Sequence, residues 1–245
     1  MNRRSFLGLV ATLPLMGYDL KYSQDIFISN KDWVTFVNAR NRLRRLKRYI
    51  GYGNFNIVSF DTALFYGRNH SFIGAFTKDE LALLDRLFYE DPSIYGFYGK
   101  RTVADITYKI SKKDVVKIPH TGHYLYHGKP LNDYNKVVKD VGNNLYLTSG
   151  VRGVVKQMSL YMDKIYKLKG NLTLASTYIA PPGYSYHTIS DFDVGKKGFG
   201  YANFTSRFAT TKEFHKLIKL DYIAMRYHKH NKDGVRYEPW HVKVI

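Results

Sequence analysis

Three clusters in the last hundred residues carry side chains that can do hydrolytic chemistry. The first is Ser149-Gly150-Val151-Arg152, with Gln157 five residues beyond the arginine. The second runs from Pro181 to Gly195 and contains Ser185, His187, Asp191 and Asp193. The third is Glu238-Pro239-Trp240-His241. A hydrolytic metal site needs about three protein ligands and an open coordination position. It also needs a carboxylate to take a proton from water, and a cation or donor aimed at the developing oxyanion. The chain has no cysteine, which excludes disulfides and thiolate ligands, so a metal must be held by His, Asp or Glu. His187, Asp193 and His241 can supply three ligands, Glu238 a base and Arg152 the cation. Each residue alone also fits an ordinary role: a core histidine, a cap, an edge strand with a buried tryptophan, a solvated arginine.

Taken together and in order, the clusters resemble the VanY-type zinc D-alanyl-D-alanine carboxypeptidases, a family that also includes D-Ala-D-Ala dipeptidases and related wall endopeptidases. The family pattern is Ser-Gly-Tyr-Arg, then Ser-x-His-x-x-Gly-x-Ala-x-Asp, then Glu-x-Trp-His. The resemblance spans roughly residues 145–245. It implies zinc held by His187, Asp193 and His241, with Glu238 as base. It further implies Arg152 polarising the scissile carbonyl, and Ser185 and Gln157 lining the substrate pocket. Hydrolysis would use water activated at the metal, without an acyl-enzyme. The middle cluster departs from the pattern. Asp193 follows His187 by six positions rather than seven, Ser190 replaces Gly and Phe192 replaces Ala. A loop one residue shorter keeps Asp193-Val194-Gly195 in place, and Asp191 is the alternative ligand. Val151 stands where the family has Tyr.

The elements that must position these residues read as a mixture. Residues 31–50 predict an amphipathic helix with Trp33, Phe36, Val37, Leu43, Leu46 and Ile50 inward and arginines crowding the remainder. Thr77 with Glu80, and Thr210 with Glu213, read as capping boxes. Asn144–Thr148 predicts a strand, Val151–Leu168 a helix ended by Gly170, and Leu172–Ile179 another strand. Asp221–Lys229 and Val235–Ile245 predict a hairpin about Asn231-Lys232-Asp233-Gly234. Glu238 and His241, three apart, would face opposite ways on a regular strand, so a bulge or bend is required there. His120, His123 and His127 read as strand and turn, and His228 and His230 as exposed beside a turn. The fold class is α+β: a small antiparallel sheet flanked by helices, with a helical N-terminal extension.

The 245 residues suffice for one large domain or two small ones. Asn2-Arg3-Arg4-Ser5-Phe6-Leu7 opens an apolar run to Met16 that is too short to span a bilayer. It resembles a twin-arginine export signal, so residues 1–20 are expected to direct export to the periplasm or cell envelope. Residues 21–100 are then a partly helical extension and 101–245 a zinc peptidase domain. The formal net charge of +18 attracts polyanions. An anionic wall polymer or a membrane surface is a possible partner. Nucleic acid is not expected, because nucleic-acid binding would leave the three clusters unexplained. The leading expectation is a D,D-carboxypeptidase that removes terminal D-Ala from peptidoglycan stem peptides. An L,D-carboxypeptidase of the same fold and a catalytically silent peptidoglycan-binding protein are the alternatives.

Overall fold

A computed structural model describes residues 25–245. The expected export signal lies outside the described residues. The amphipathic pattern forms α1 (Asn30–Ile50), capped by the Ser29 side chain accepting from Asp32 N–H. Phe36, Leu43 and Leu46 are buried on its inner face. Its arginines are not one solvated face. Arg40 is buried against Asp163 at 2.7 Å, Arg42 meets Glu80 at 2.8 Å, and Arg45 donates to the Ile73 carbonyl. Three of the arginines that crowd this helix are thus held in internal contacts.

Three further helices complete the extension: α2 (Tyr52–Phe55), α3 (Phe60–Asn69) and α4 (Lys78–Tyr89). The Thr77–Glu80 capping box starts α4 as expected. A hairpin of β1 (Val115–Lys117) and β2 (Tyr124–Tyr126) follows, then α5 (Lys129–Val141), β3 (Leu145–Ser149) and α6 (Val154–Lys167). Gly170, at φ 93°, closes the end of α6 by donating to the Ile165 carbonyl. The expected strand at Leu172–Ile179 is instead the short helix α7 (Leu172–Ser176). Asn171 caps it by accepting from Leu174 N–H, and Leu172 and Ala175, three apart, are both buried. A run this short satisfies both periodicities, and the cap decides it.

The remaining elements are β4 (Phe192–Lys196), α8 (Lys212–Leu217), β5 (Ile223–Met225) and β6 (His241–Val244). The cap of α8 is Thr211, not Thr210, and Glu213 lies 3.6 Å from Lys196 rather than closing a capping box. The expected C-terminal hairpin keeps its antiparallel pairing, but its strands are confined to the far ends of the two segments. The sheet order is β3-β4-β6-β5, antiparallel throughout. Leu145, Leu147, Phe192, Val194 and Val242 face Tyr134, Val137 and Val141 of α5 and Phe214 and Leu217 of α8. Alternation turns Asp193 and His241 to the opposite face, towards α6.

Candidate metal centre

Register brings the site together. Asp193 on β4 stands directly opposite His241 on β6 and opposite Ser149 on β3. The pairing of β3 shifts between Leu147 and Ser149. That bulge carries Ser149 onto the face of Asp193, as bulges beside active sites commonly do. The bend required by Glu238 and His241 is a tight turn: His241 N–H donates to the Glu238 carbonyl at 3.1 Å, and β6 begins only at His241. Both side chains can then reach one site.

His187 arrives from a different element, the single 3-10 turn Tyr186–Thr188. It is tied to the first cluster at three points. Its Nδ1 lies 3.0 Å from the Gly150 carbonyl, its own carbonyl accepts from Arg152 N–H, and the Thr188 hydroxyl donates to the Arg152 carbonyl. Gly150 lets the same loop pack closely on β2. A Cβ there would fall inside the van der Waals sphere of the Tyr124 carbonyl oxygen, whose backbone partner is Val151 N–H.

The three proposed ligands converge and are buried, with donor atoms within 4.8 Å of one another. His187 Nε2 lies 3.2 Å from Asp193 Oδ1, and His241 Nδ1 lies 3.3 Å from the same oxygen. Ligands of a tetrahedral zinc with bonds of about 2.0–2.1 Å stand roughly 3.3 Å apart, so the spacing fits. His187 Nε2 and Asp193 Oδ1 are buried and make no hydrogen bond of acceptable geometry despite their proximity. Two orphaned buried atoms aimed at each other are the pattern a cation would satisfy.

The outer atoms fix the inner ones. His187 Nδ1 faces a carbonyl, which makes it the protonated nitrogen and leaves Nε2 free. His241 Nε2 faces Asp191 Oδ2 at 3.1 Å, leaving Nδ1 for the site. Asp191, the alternative ligand, is instead gripped by Arg226 through two bonds of 2.7 and 3.0 Å. Arg226 stacks on the Tyr186 ring.

Burial lowers the His187 pKa to about 4, with Arg152 adding to the effect and Asp193 opposing it. Burial pulls His241 the same way, but Asp191, Glu238 and Asp193 outweigh it and raise the pKa to about 9. Burial would raise the Asp193 carboxyl, yet His187 and Arg152 hold it well below the usual range. Burial pushes the Glu238 carboxyl up, against the pull of His241.

Every residue assigned from the sequence lines one cavity of about 380 Å³: Arg152, Gln157, Ser185, His187, Asp193, Glu238 and His241. Glu238 Oε2 is 3.7 Å from His241 Nδ1. Arg152 bonds Ser149 Oγ at 2.8 Å and Asp193 Oδ2 at 2.6 Å. Gln157 donates to the Ala180 carbonyl, and its Oε1 is buried without a partner. Of the histidines read as strand and turn, His123 alone also lines the cavity, outside the ligand group. Sequence reasoning missed the Asp191–Arg226 pair and the lysines of α6. The helical spacing of those lysines was the available signal.

None of the curated proteins matches the chain. Among solved structures, the chain is similar to the LD-carboxypeptidase LdcB, described for its peptidoglycan recognition. Identity is 21% and TM-score 0.47, over 56% of this chain and 70% of that one. VanYB in complex with D-alanine-D-alanine shares 21% identity at a TM-score of 0.46, over 61% of this chain and 84% of that one. The vancomycin-resistance D,D-pentapeptidase VanY in complex with Zn(II) shares 22% at 0.44, over 60% of this chain and 85% of that one. Residues 128–245 match the family model described as VanY, D-alanyl-D-alanine carboxypeptidase, a span that holds all three clusters. Over those residues, just under half of its length, the chain is similar to the VanY carboxypeptidase family.

Proposed function

We propose that the protein is a zinc-dependent D,D-carboxypeptidase that removes terminal D-Ala from peptidoglycan stem peptides. The observation that carries this reading is the convergence of His187 Nε2, Asp193 Oδ1 and His241 Nδ1 in the cavity that also holds Glu238 and Arg152. Bound zinc would supply Lewis acidity, making water a nucleophile near neutral pH and polarising the scissile carbonyl. Glu238, buried and raised in pKa, takes the proton from the attacking water and passes it to the leaving amine. Arg152 faces the carbonyl oxygen or the terminal carboxylate. Ser185 and the free Oε1 of Gln157 orient the terminal residue. The enzyme works in the cell envelope after twin-arginine export, which fractionation of cells carrying Arg3→Lys with Arg4→Lys tests by retention inside.

Mass analysis of purified stem peptides after incubation decides the bond. Loss of one alanine from pentapeptides supports the D,D reading; loss from tetrapeptides alone replaces it with L,D activity. Glu238→Gln keeps shape and zinc while removing the base, so turnover should fall by roughly 10²–10⁴-fold. Full zinc with near-normal turnover removes Glu238 from the mechanism.

A further inference from the structure

The wall of the cavity opposite the sheet is α6, and its cavity face carries a row of cations. Lys156, Leu160, Lys164 and Lys167 recur at helical spacing and all line the cavity. Arg152 lies just before the helix, and Arg236 joins from the loop ahead of β6. Among the described residues, none of these three lysines has a carboxylate within ion-pair distance. The acidic groups lining the same cavity are already engaged. Asp163 pairs with Arg40 at 2.7 Å, Asp193 with Arg152 at 2.6 Å, and Glu238 is shared by His241 and Arg236, each 3.7 Å away. The cations also crowd one another. Burial, then Arg152 and Lys47, lowers the Lys156 pKa to about 8. Burial, then Arg236 and Lys167, lowers that of Lys164. The Nε of Arg236 is buried without a hydrogen-bond partner. A polar wall with this much unbalanced charge of one sign, partly desolvated, is built for an anion.

The length of the row says what kind of anion. From Lys156 to Lys167 the helix rises about 16 Å, which matches roughly five residues of extended chain. The N-terminal end of the row adjoins the proposed metal trio, because Arg152, just before the helix, bonds Asp193 Oδ2 at 2.6 Å. A carboxypeptidase has only one residue on the leaving side, so the rest of its substrate must run outward, past Lys164 and Lys167. We propose that this row is an extended subsite for carboxylates carried by the substrate upstream of the scissile bond, so that the preferred substrate is an acidic peptide. The assignment rests on the carboxypeptidase reading for the direction of the peptide.

Two peptides ending in D-Ala-D-Ala test it, identical except that the upstream side-chain carboxylates of one are amides in the other. Affinity is measured by calorimetry on zinc-loaded Glu238→Gln protein, where turnover does not intrude. The acidic peptide should bind roughly fivefold tighter at low salt, a margin that shrinks as ionic strength rises. Lys164→Gln with Lys167→Gln should bring the ratio close to one. Equal affinity for the two peptides, binding of neither, or a ratio untouched by the double substitution overturns the subsite. Failure of the wild-type protein to hydrolyse either peptide overturns the peptidase reading instead, and leaves the binding ratio to judge the subsite by itself.

Discussion

Two carboxylates two positions apart, Asp191 and Asp193, sit among different neighbours. Asp193 presents an unpartnered oxygen to His187 and His241, whereas both oxygens of Asp191 are held by Arg226 and its side chain meets the outer nitrogen of His241. Asp193→Ala should therefore abolish stoichiometric zinc. Asp191→Ala should keep the site but weaken zinc by roughly 10–100-fold, the usual cost of losing an outer partner of a ligating histidine. Metal analysis and competition with a chelator separate the two outcomes, and the reverse order exchanges their roles. The histidines differ as well. His187 is neutral down to about pH 4, while His241 in the metal-free protein holds its extra proton up to about pH 9. Zinc must displace that proton, so apparent affinity should weaken about tenfold for each unit that pH falls below 9. Calorimetry in buffers of different ionisation enthalpy should find one proton released per zinc near pH 7. No release would mean that His241 is already neutral.

At the scale of elements, the site depends on irregularities rather than on regular strands. The bulge after Leu147, the Glu238–His241 turn and the 3-10 turn around His187 each aim one side chain. Ser149-Gly150-Val151-Arg152 is the hub, and Gly150 is its tightest point. Gly150→Ala should cost about 1–3 kcal/mol by overpacking against Tyr124, with turnover lost beyond what the stability change explains because His187 shifts with the loop. Thermal unfolding and turnover on one preparation check both, and an unchanged protein would show that the hairpin gives way freely. What could be read from sequence follows the same division. Long periodic segments such as α1 and α6, and the Thr77 cap, were legible because many residues vote for one period. The cavity residues were legible as motifs, whose order in the chain survives any local geometry. Leu172–Ser176 was not, because five residues fit both periods and only the Asn171 cap separates them. The role of Asp191 was also hidden, since its partner Arg226 lies 35 positions away.

At the scale of the whole molecule, the N-terminal helices share a core with the helix that lines the candidate site. One hydrophobic cluster takes Phe36, Leu43 and Leu46 of α1 and Leu84, Leu87 and Phe88 of α4 together with Val155, Met158, Met162 and Ile165 of α6. The α6 that carries the lysine row on one side is thus cored by the extension on the other. The contact reaches the site itself. Asn56 donates through its side chain to the Gly122 carbonyl and accepts from Gly153 N–H, the residue after Arg152. Burying four large apolar side chains contributes roughly 6–12 kcal/mol, comparable with the whole stability of an ordinary domain at about 5–15 kcal/mol. A chain that starts at residue 101 should therefore fail to fold, although it retains every proposed metal ligand. Amide exchange should show little protection in that fragment, and zinc should bind it far more weakly than the full chain. The intact protein should unfold in one transition, with the helices of the extension and the sheet losing protection together. A fragment of residues 101–245 that is protected, cooperative and stoichiometric in zinc would show that the extension is an accessory, and that α6 can bury its inner face without it.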